Sequence, residues 1–220
     1  WQDFMYAFVS YQTQDRVIAG KIKALLAKAN ISAFLAHEDI TVSEEWRLKI
    51  LAEIAIADFF ICILSASYYQ SPWCLQESGI AAFRSDMIII PLSIDGTIPQ
   101  GFIGHVQSTR INPEYVSLND LIPGIAKRNT PAAIDAIIEI IGTSGSYRGA
   151  EANFELILPY SNKMSDAQAI RLLEKVAVNG QVHHAGLCAN KYIPPFLEKY
   201  GGLIAPDTLK YLQDVCARYA

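Results

Sequence analysis

The chain predicts an α/β protein, a parallel sheet flanked by helices, followed by a small, mostly helical domain. Three observations predict it. Short apolar runs alternate with helix-period segments through the first part of the chain. Two of those runs, Phe59–Leu64 and Met87–Leu92, are apolar at consecutive positions, as in parallel strands covered on both faces. Beyond a stretch rich in Gly and Ser, Gly142–Gly149, helical spacing dominates.

Taken in order, Tyr6–Tyr11 is a short strand that ends in polar Gln12-Thr13-Gln14-Asp15. Ile18, Ile22, Leu25, Leu26 and Ala29 then recur at helical spacing. Ile31–Leu35 is a second strand. After a polar loop, Thr41-x-x-Glu44 has the form of a capping box opening a helix through Trp46, Ile50, Leu51 and Ile54. Phe59–Leu64 is the third strand, and Ser71-Pro72 is an N-cap with proline at the first helical position. Met87–Leu92 is the fourth strand. Thr109-Arg110-Ile111 is a short edge strand. A helix over Leu118–Arg128 is interrupted by Pro123, and Ala132–Ile141 is a firmer helix.

These signals divide the chain into a first domain over 1–142, a linker over 143–152 and a small helical domain over 153–220. In the last, Phe154–Pro159 reads as a strand. Ser165-x-x-Gln168 caps a helix through Ile170, Leu173 and Val176. Two more helices follow, near Tyr192–Tyr200 and Asp207–Tyr219.

Charge and cysteine usage narrow the function. The 220 residues carry 18 Lys+Arg and 22 Asp+Glu, so no cationic excess is available to neutralise a nucleic-acid backbone. Through Gly142 there are 10 basic and 15 acidic residues; beyond it there are 8 and 7. Cys62, Cys74, Cys188 and Cys216 are scattered, with no CxxC pair, which disfavours a zinc site or a disulfide framework and fits a reducing cytoplasm. No apolar run reaches the roughly 18 residues of a membrane span.

In an open parallel sheet, ligands bind beyond the carboxyl ends of the strands. Ser10–Arg16, His37–Ser43 and Ser65–Ser71 meet that description. None carries a dinucleotide or nucleoside-triphosphate glycine loop, and no GxSxG elbow is present. The sharpest local feature is Trp73-Cys74-Leu75-Gln76-Glu77, which puts an indole and a carboxylate one turn apart on a helix. An indole face attracts a flat cation, and a carboxylate can hold ribose hydroxyls or a developing positive charge. By spacing alone, the pair reads more readily as core plus solvated edge. Cys74 reads as a small buried hydrophobe, and His183-His184 as surface polar residues. Trp46 reads as a helix anchor, and Arg16 equally as a phosphate partner or a solvated helix start.

In their order and spacing, several short motifs resemble a TIR (Toll/interleukin-1 receptor) domain over residues 4–92. The first is Phe8-Val9-Ser10-Tyr11 with Asp15-Arg16; the second is Asp39 to Trp46. The third is Leu64-Ser65-x-Ser67-Tyr68-Tyr69-x-Ser71-Pro72-Trp73-Cys74-x-x-Glu77, followed by Ile89-Ile90-Pro91-Leu92. The resemblance implies a flavodoxin-like sheet of about five strands. For the bacterial NAD-cleaving type, it implies hydrolysis or cyclisation at the nicotinamide–ribose bond, in anti-phage signalling.

The family's WxxxE glutamate corresponds to Glu77, with Trp73 as its aromatic neighbour. Substrate contacts carry over to Ser10, Tyr11, Arg16, Asp39, Trp46, Ser67 and Tyr68. NAD is the substrate, so no cofactor or metal is called for. The implied partners are NAD, other TIR domains and an effector that responds to a cyclic product, with no nucleic acid and no membrane. Ser43 stands where a glycine is common, and Ala36-His37 stands where an acidic residue often ends the second strand. Those departures sustain the alternative of a non-catalytic adaptor that acts by self-association.

Overall fold

The computed structural model describes residues 5–36 and 45–219, which form two compact units, one ending at Arg128 and the other starting at Asn129. The first holds β1 (Met5–Ser10), α1 (Arg16–Lys28), β2 (Ile31–Leu35), α2 (Trp46–Ile56), β3 (Phe59–Leu64), α3 (Pro72–Phe83), β4 (Ile88–Ser93), β5 (Thr109–Arg110) and α4 (Ile122–Arg128). The strands form one parallel sheet in the order β2-β1-β3-β4-β5. This is the flanked parallel sheet that the alternation predicts, including the short edge strand.

Burial explains the central strands. Every residue of β3 is buried, so its consecutive apolar run meets helices on both faces. Phe8 of β1 stacks on Phe60 at 5.8 Å between ring centroids and meets Phe34 of β2 at 5.5 Å. These rings tie the three strands together through dispersion contacts. The α1–β2 connection is closed by Asn30 at φ 56°, a left-handed conformation that asparagine tolerates better than most residues.

The chain leaves β1 for β2 on one side and reaches β3 on the other, so the topological switch point falls between β1 and β3. Register places Ser10, the last residue of β1, beside Cys62. The loops following these two strands therefore converge at one place. Ser71 caps α3 by accepting from the Cys74 amide at 3.3 Å, with Pro72 in the first turn, which fixes where α3 starts beyond β3. The sequence-level capping box at Thr41 and Glu44 lies outside the described residues; α2 opens at Trp46 with Glu45 in the N-cap position.

The second unit is helical: α5 (Thr130–Gly142), α6 (Tyr147–Glu155), α7 (Asp166–Val178), α8 (Gly180–His183), a π-helical turn at Cys188–Tyr192, α9 (Ile193–Tyr200) and α10 (Pro206–Cys216). Three expectations change here. The first unit ends at Arg128 rather than Gly142, because the apolar face of α5 (Ile134, Ile137, Ile138, Ile141) is buried and packs against α7. The 143–152 stretch is mostly α6, capped by Ser146 accepting from the Gly149 amide at 3.2 Å. Phe154–Pro159 is no strand: Ala150, Phe154 and Ile157 are all fully buried at helical spacing, and a 3-10 turn follows. The Ser165/Gln168 capping box opens α7 as the spacing predicts.

Candidate functional site at the switch point

Two polar clusters occupy the carboxyl ends of β1 and β3. The inner one is built around Glu77, which α3 carries in its second turn. Ser10 Oγ lies 2.5 Å from Glu77 Oε2 and 2.9 Å from Tyr68 Oη. Tyr68 Oη is in turn 2.8 Å from Ser78 Oγ, which donates to the Cys74 carbonyl at 2.8 Å. Three segments meet here because β1 ends at Ser10, β3 runs into the 3-10 turn Tyr68–Gln70, and α3 starts directly after it.

Glu77 is 1% exposed, and its Oε1 is buried without a hydrogen-bond partner among the described residues. Burial pushes its carboxyl up to about 7, against a smaller lowering by the Ser10 hydroxyl. An unsatisfied carboxylate oxygen in a buried place is costly. Most buried polar atoms in folded proteins are paired, which sets this oxygen apart. The thiols around it are quiet: burial pushes Cys74 up to about 11 and raises Cys62 further still.

The outer cluster centres on Asp15, which is buried and accepts from Ser65 Oγ at 2.8 Å. Ser65 Oγ lies 2.9 Å from Ser67 Oγ, and Gln14 donates to Ser67. Burial raises the Asp15 carboxyl, the Ser65 hydrogen bond lowers it, and the nearby charge of Asp95 raises it again. Asp95 holds the loop after β3 by accepting from the Ala66 amide at 2.8 Å.

The predicted residues distribute as follows. Glu77, Ser10 and Tyr68 form the inner cluster, all essentially enclosed. Trp73 stands one turn before Glu77 at the surface, 38% exposed, edge-on to Trp46 with ring centroids 6.5 Å apart. Tyr11 is fully buried beyond the end of β1, and Ser67 belongs to the outer cluster. Arg16 is exposed at the start of α1, and Asp39 lies outside the described residues. Sequence reasoning missed Asp15, Ser65 and Ser78 as partners. The serine spacing after β3 was visible, but pairing it with Asp15 needs the β1–β3 register.

In the second unit, His183 is buried rather than superficial. Its Nδ1 faces the Val176 carbonyl at 2.8 Å and its Nε2 faces Tyr211 Oη at 3.0 Å. Among the described residues, no cluster of His, Cys, Asp and Glu could hold a metal ion. Among them too, no helix is long and apolar enough to cross a membrane.

A family model described as the TIR domain matches residues 7–122, just over half of the chain. Among solved structures, the chain is similar to the TIR domain of the Toll-related receptor TRR-2 from Hydra magnipapillata. That match is 20% identical, covers 56% of this chain and 93% of the other, and has a TM-score of 0.42. The comparison with curated proteins gives no match.

Proposed function

The chain belongs to the TIR domain family, and from that premise we propose that it cleaves NAD at the nicotinamide–ribose bond, with Glu77 as the catalytic carboxylate. The observation that carries this reading is the orphaned, buried Oε1 of Glu77 beside the β1–β3 switch point. The proposed products are nicotinamide and ADP-ribose or a cyclic isomer, and the proposed setting is cytoplasmic anti-phage signalling.

The chemistry asks little of the protein. Nicotinamide departs as a neutral molecule from a cationic substrate, so no general acid is required. The anomeric carbon becomes oxocarbenium-like, and one nearby carboxylate stabilises it, as in glycoside cleavage. Ribose hydroxyls would give Oε1 the donors it lacks, offsetting the desolvation of the charge. Water capture yields ADP-ribose, and internal capture yields the cyclic product. Trp73 at the rim offers an aromatic face for the nicotinamide ring. The first part of the chain carries 10 basic and 15 acidic residues, so it does not attract a dinucleotide anion at range. Arg16, backbone amides and a neighbouring TIR domain are the proposed phosphate partners.

One observation favours the second reading, a non-catalytic adaptor: Glu77 is 1% exposed, so a substrate reaches it only if its cover moves. The same experiment separates the two. The assembled full chain is incubated with NAD, and nicotinamide release is followed by chromatography for wild type and Glu77→Gln. Catalysis predicts release that the substitution lowers by about a hundredfold or more. No release from assembled wild type, or an unimpaired variant, leaves the adaptor. That reading predicts concentration-dependent assembly that depends on residues 39–45.

A further inference from the structure

Four short oxygen–oxygen contacts run in series from Glu77: Oε2 to Ser10 Oγ (2.5 Å), Ser10 Oγ to Tyr68 Oη (2.9 Å), Tyr68 Oη to Ser78 Oγ (2.8 Å) and Ser78 Oγ to the Cys74 carbonyl (2.8 Å). Each contact needs one hydrogen between its oxygens. The three hydroxyls bring three hydrogens. With Glu77 ionised, one of the four contacts is left bare, with two oxygens facing each other at hydrogen-bond distance. With Glu77 protonated, four hydrogens fill four contacts in one direction: Glu77 donates to Ser10, Ser10 to Tyr68, Tyr68 to Ser78 and Ser78 to the Cys74 carbonyl. The longer approach of Tyr68 Oη to the Cys74 carbonyl, 3.4 Å, does not alter this. Directing the tyrosine hydrogen there uncovers one of its shorter contacts.

Water does not supply the missing hydrogen, because each of the four contacts is direct, at 2.5–2.9 Å, and leaves no room for a third oxygen between its two atoms. We propose that Tyr68 and Ser78 are positioning residues for Glu77: by carrying the chain to a helix carbonyl, they hold the carboxyl in its protonated form in the resting site. The inference rests on reading Glu77 as the charge-stabilising carboxylate, and it adds the groups that set its proton affinity. Cleavage then requires that the carboxyl O–H bond break and the proton pass to water, leaving the carboxylate.

The other titratable groups on the elements packed about α3, among the described residues, do not supply the missing hydrogen. Cys74, on the same helix, meets Ser10 and keeps its S–H because burial pushes its thiol up to about 11; that hydrogen lies on the sulfur–oxygen contact and fills none of the four oxygen–oxygen contacts, and Cys62 of β3 is raised further. The Lys49–Glu53 pair of α2, 2.8 Å apart, is engaged with Tyr6 of β1, Arg47 of α2 pairs with Glu45, and Tyr69 of the 3-10 turn Tyr68–Gln70 donates to the Ile98 carbonyl at 3.2 Å. The 3-10 turn Gly101–Ile103 carries no titratable side chain.

The sign of the effect separates this proposal from ordinary burial. Tyr68→Phe cuts the chain after Ser10. Two contacts and two hydrogens then remain, Ser10 to Glu77 and Ser78 to the Cys74 carbonyl, so the ionised form is satisfied, while the protonated form loses its onward acceptor. Ser78→Ala likewise leaves two contacts and two hydrogens. Both changes therefore lower the proton affinity of Glu77. If burial alone set it, replacing a hydroxyl by apolar surface would raise it. Ser10→Ala removes the carboxylate's own donor and raises it.

The test is a pH titration of the Glu77 carboxyl by carbon-13 NMR of the full chain, with Glu77→Gln assigning the signal. The expected midpoint falls by about one pH unit, tenfold in proton affinity, in both Tyr68→Phe and Ser78→Ala, and rises in Ser10→Ala. An unchanged or raised midpoint in either of the first two overturns the proposal. Tyr68→Phe keeps the buried ring and Ser78→Ala perturbs a different element, so a folding failure of one leaves the other as the test. The titration uses no NAD, so absence of nicotinamide release would count against the enzymatic reading alone. If that reading holds, the acidic limb of the pH–rate profile moves to lower pH in both variants, and in Ser78→Ala KM is unchanged.

Discussion

Ser10 Oγ and Glu77 Oε2 are 2.5 Å apart, joining the last residue of the first strand to the second turn of α3 across 67 positions of sequence. The contact is short because both groups are buried and the serine hydroxyl is the carboxylate's hydrogen-bond partner among the described residues. Ser10 thus fixes where the carboxylate sits and moderates the burial that keeps it protonated.

Activity should rise with pH. The reaction needs the ionised carboxylate, and the carboxyl titrates at about 7. Below that pH the rate falls about tenfold per unit; above it, the rate levels off. Measuring kcat/KM for NAD from pH 5 to 9 checks this. A profile flat through pH 7 would mean that Glu77 is not the group on which the rate depends.

Stability should move the other way. The Glu77 carboxyl is raised from 4.5 to about 7, so the folded chain binds a proton more tightly than the unfolded chain does. The stabilisation is fully present below about pH 4.5 and is lost as pH rises through about 7. The difference of about 2.5 units corresponds to on the order of 3 kcal/mol. Glu77→Gln, which cannot ionise, should therefore raise the Tm of the first unit at pH 8 and change it little at pH 4. Equal melting of both proteins at pH 8 would refute the buried charge.

Gly124 should resist substitution despite lying in a helix. A Cβ there would sit 2.4 Å from Ile90 Cδ1 and 2.6 Å from its Cγ1, and Ile90 is a buried residue of β4. The helix-propensity gain of about 1 kcal/mol is outweighed by an overpacking cost of about 1–3 kcal/mol. Gly124→Ala should lower the denaturation midpoint of the first unit. In an Ile90→Ala background, the same change should be neutral or stabilising, because the clashing atoms are gone. Urea melts of the two single variants and the double variant decide it.

The fold was legible where burial leaves a periodic trace. Phe59–Leu64 shows unbroken apolarity because helices cover both faces, and Ser71-Pro72 announces α3 because its cap is local. Glu77 stood out only through its motif context. Its enclosure, its orphaned oxygen and the Ser78 end of its hydrogen-bond chain depend on contacts between strands far apart in sequence. The same limit explains the misplaced boundary. Gly142–Gly149 has the composition of a linker, yet Ser146 caps a helix there, and the face that joins α5 to α7 becomes evident only once both helices are placed.

That boundary carries a last prediction. Ile134, Ile137, Ile138 and Ile141 of α5 are fully buried, and α5 packs against α7, where Leu172, Leu173 and Val176 are also buried. Asn179 completes the end of α5 by donating to the Gly142 carbonyl at 3.0 Å and the Ser144 carbonyl at 3.1 Å. The Asp135–Arg171 and Glu139–Lys175 pairs add little, being partly exposed. A fragment ending at Gly142 keeps α5 but loses α7 and that cap, leaving an apolar stripe with its packing partner removed. A fragment ending at Arg128 keeps none of it. The 1–142 fragment should bind a hydrophobic dye and associate on concentration, whereas 1–128 should stay dispersed and melt cooperatively. If 1–142 were the better behaved of the two, α5 would belong with the sheet domain after all.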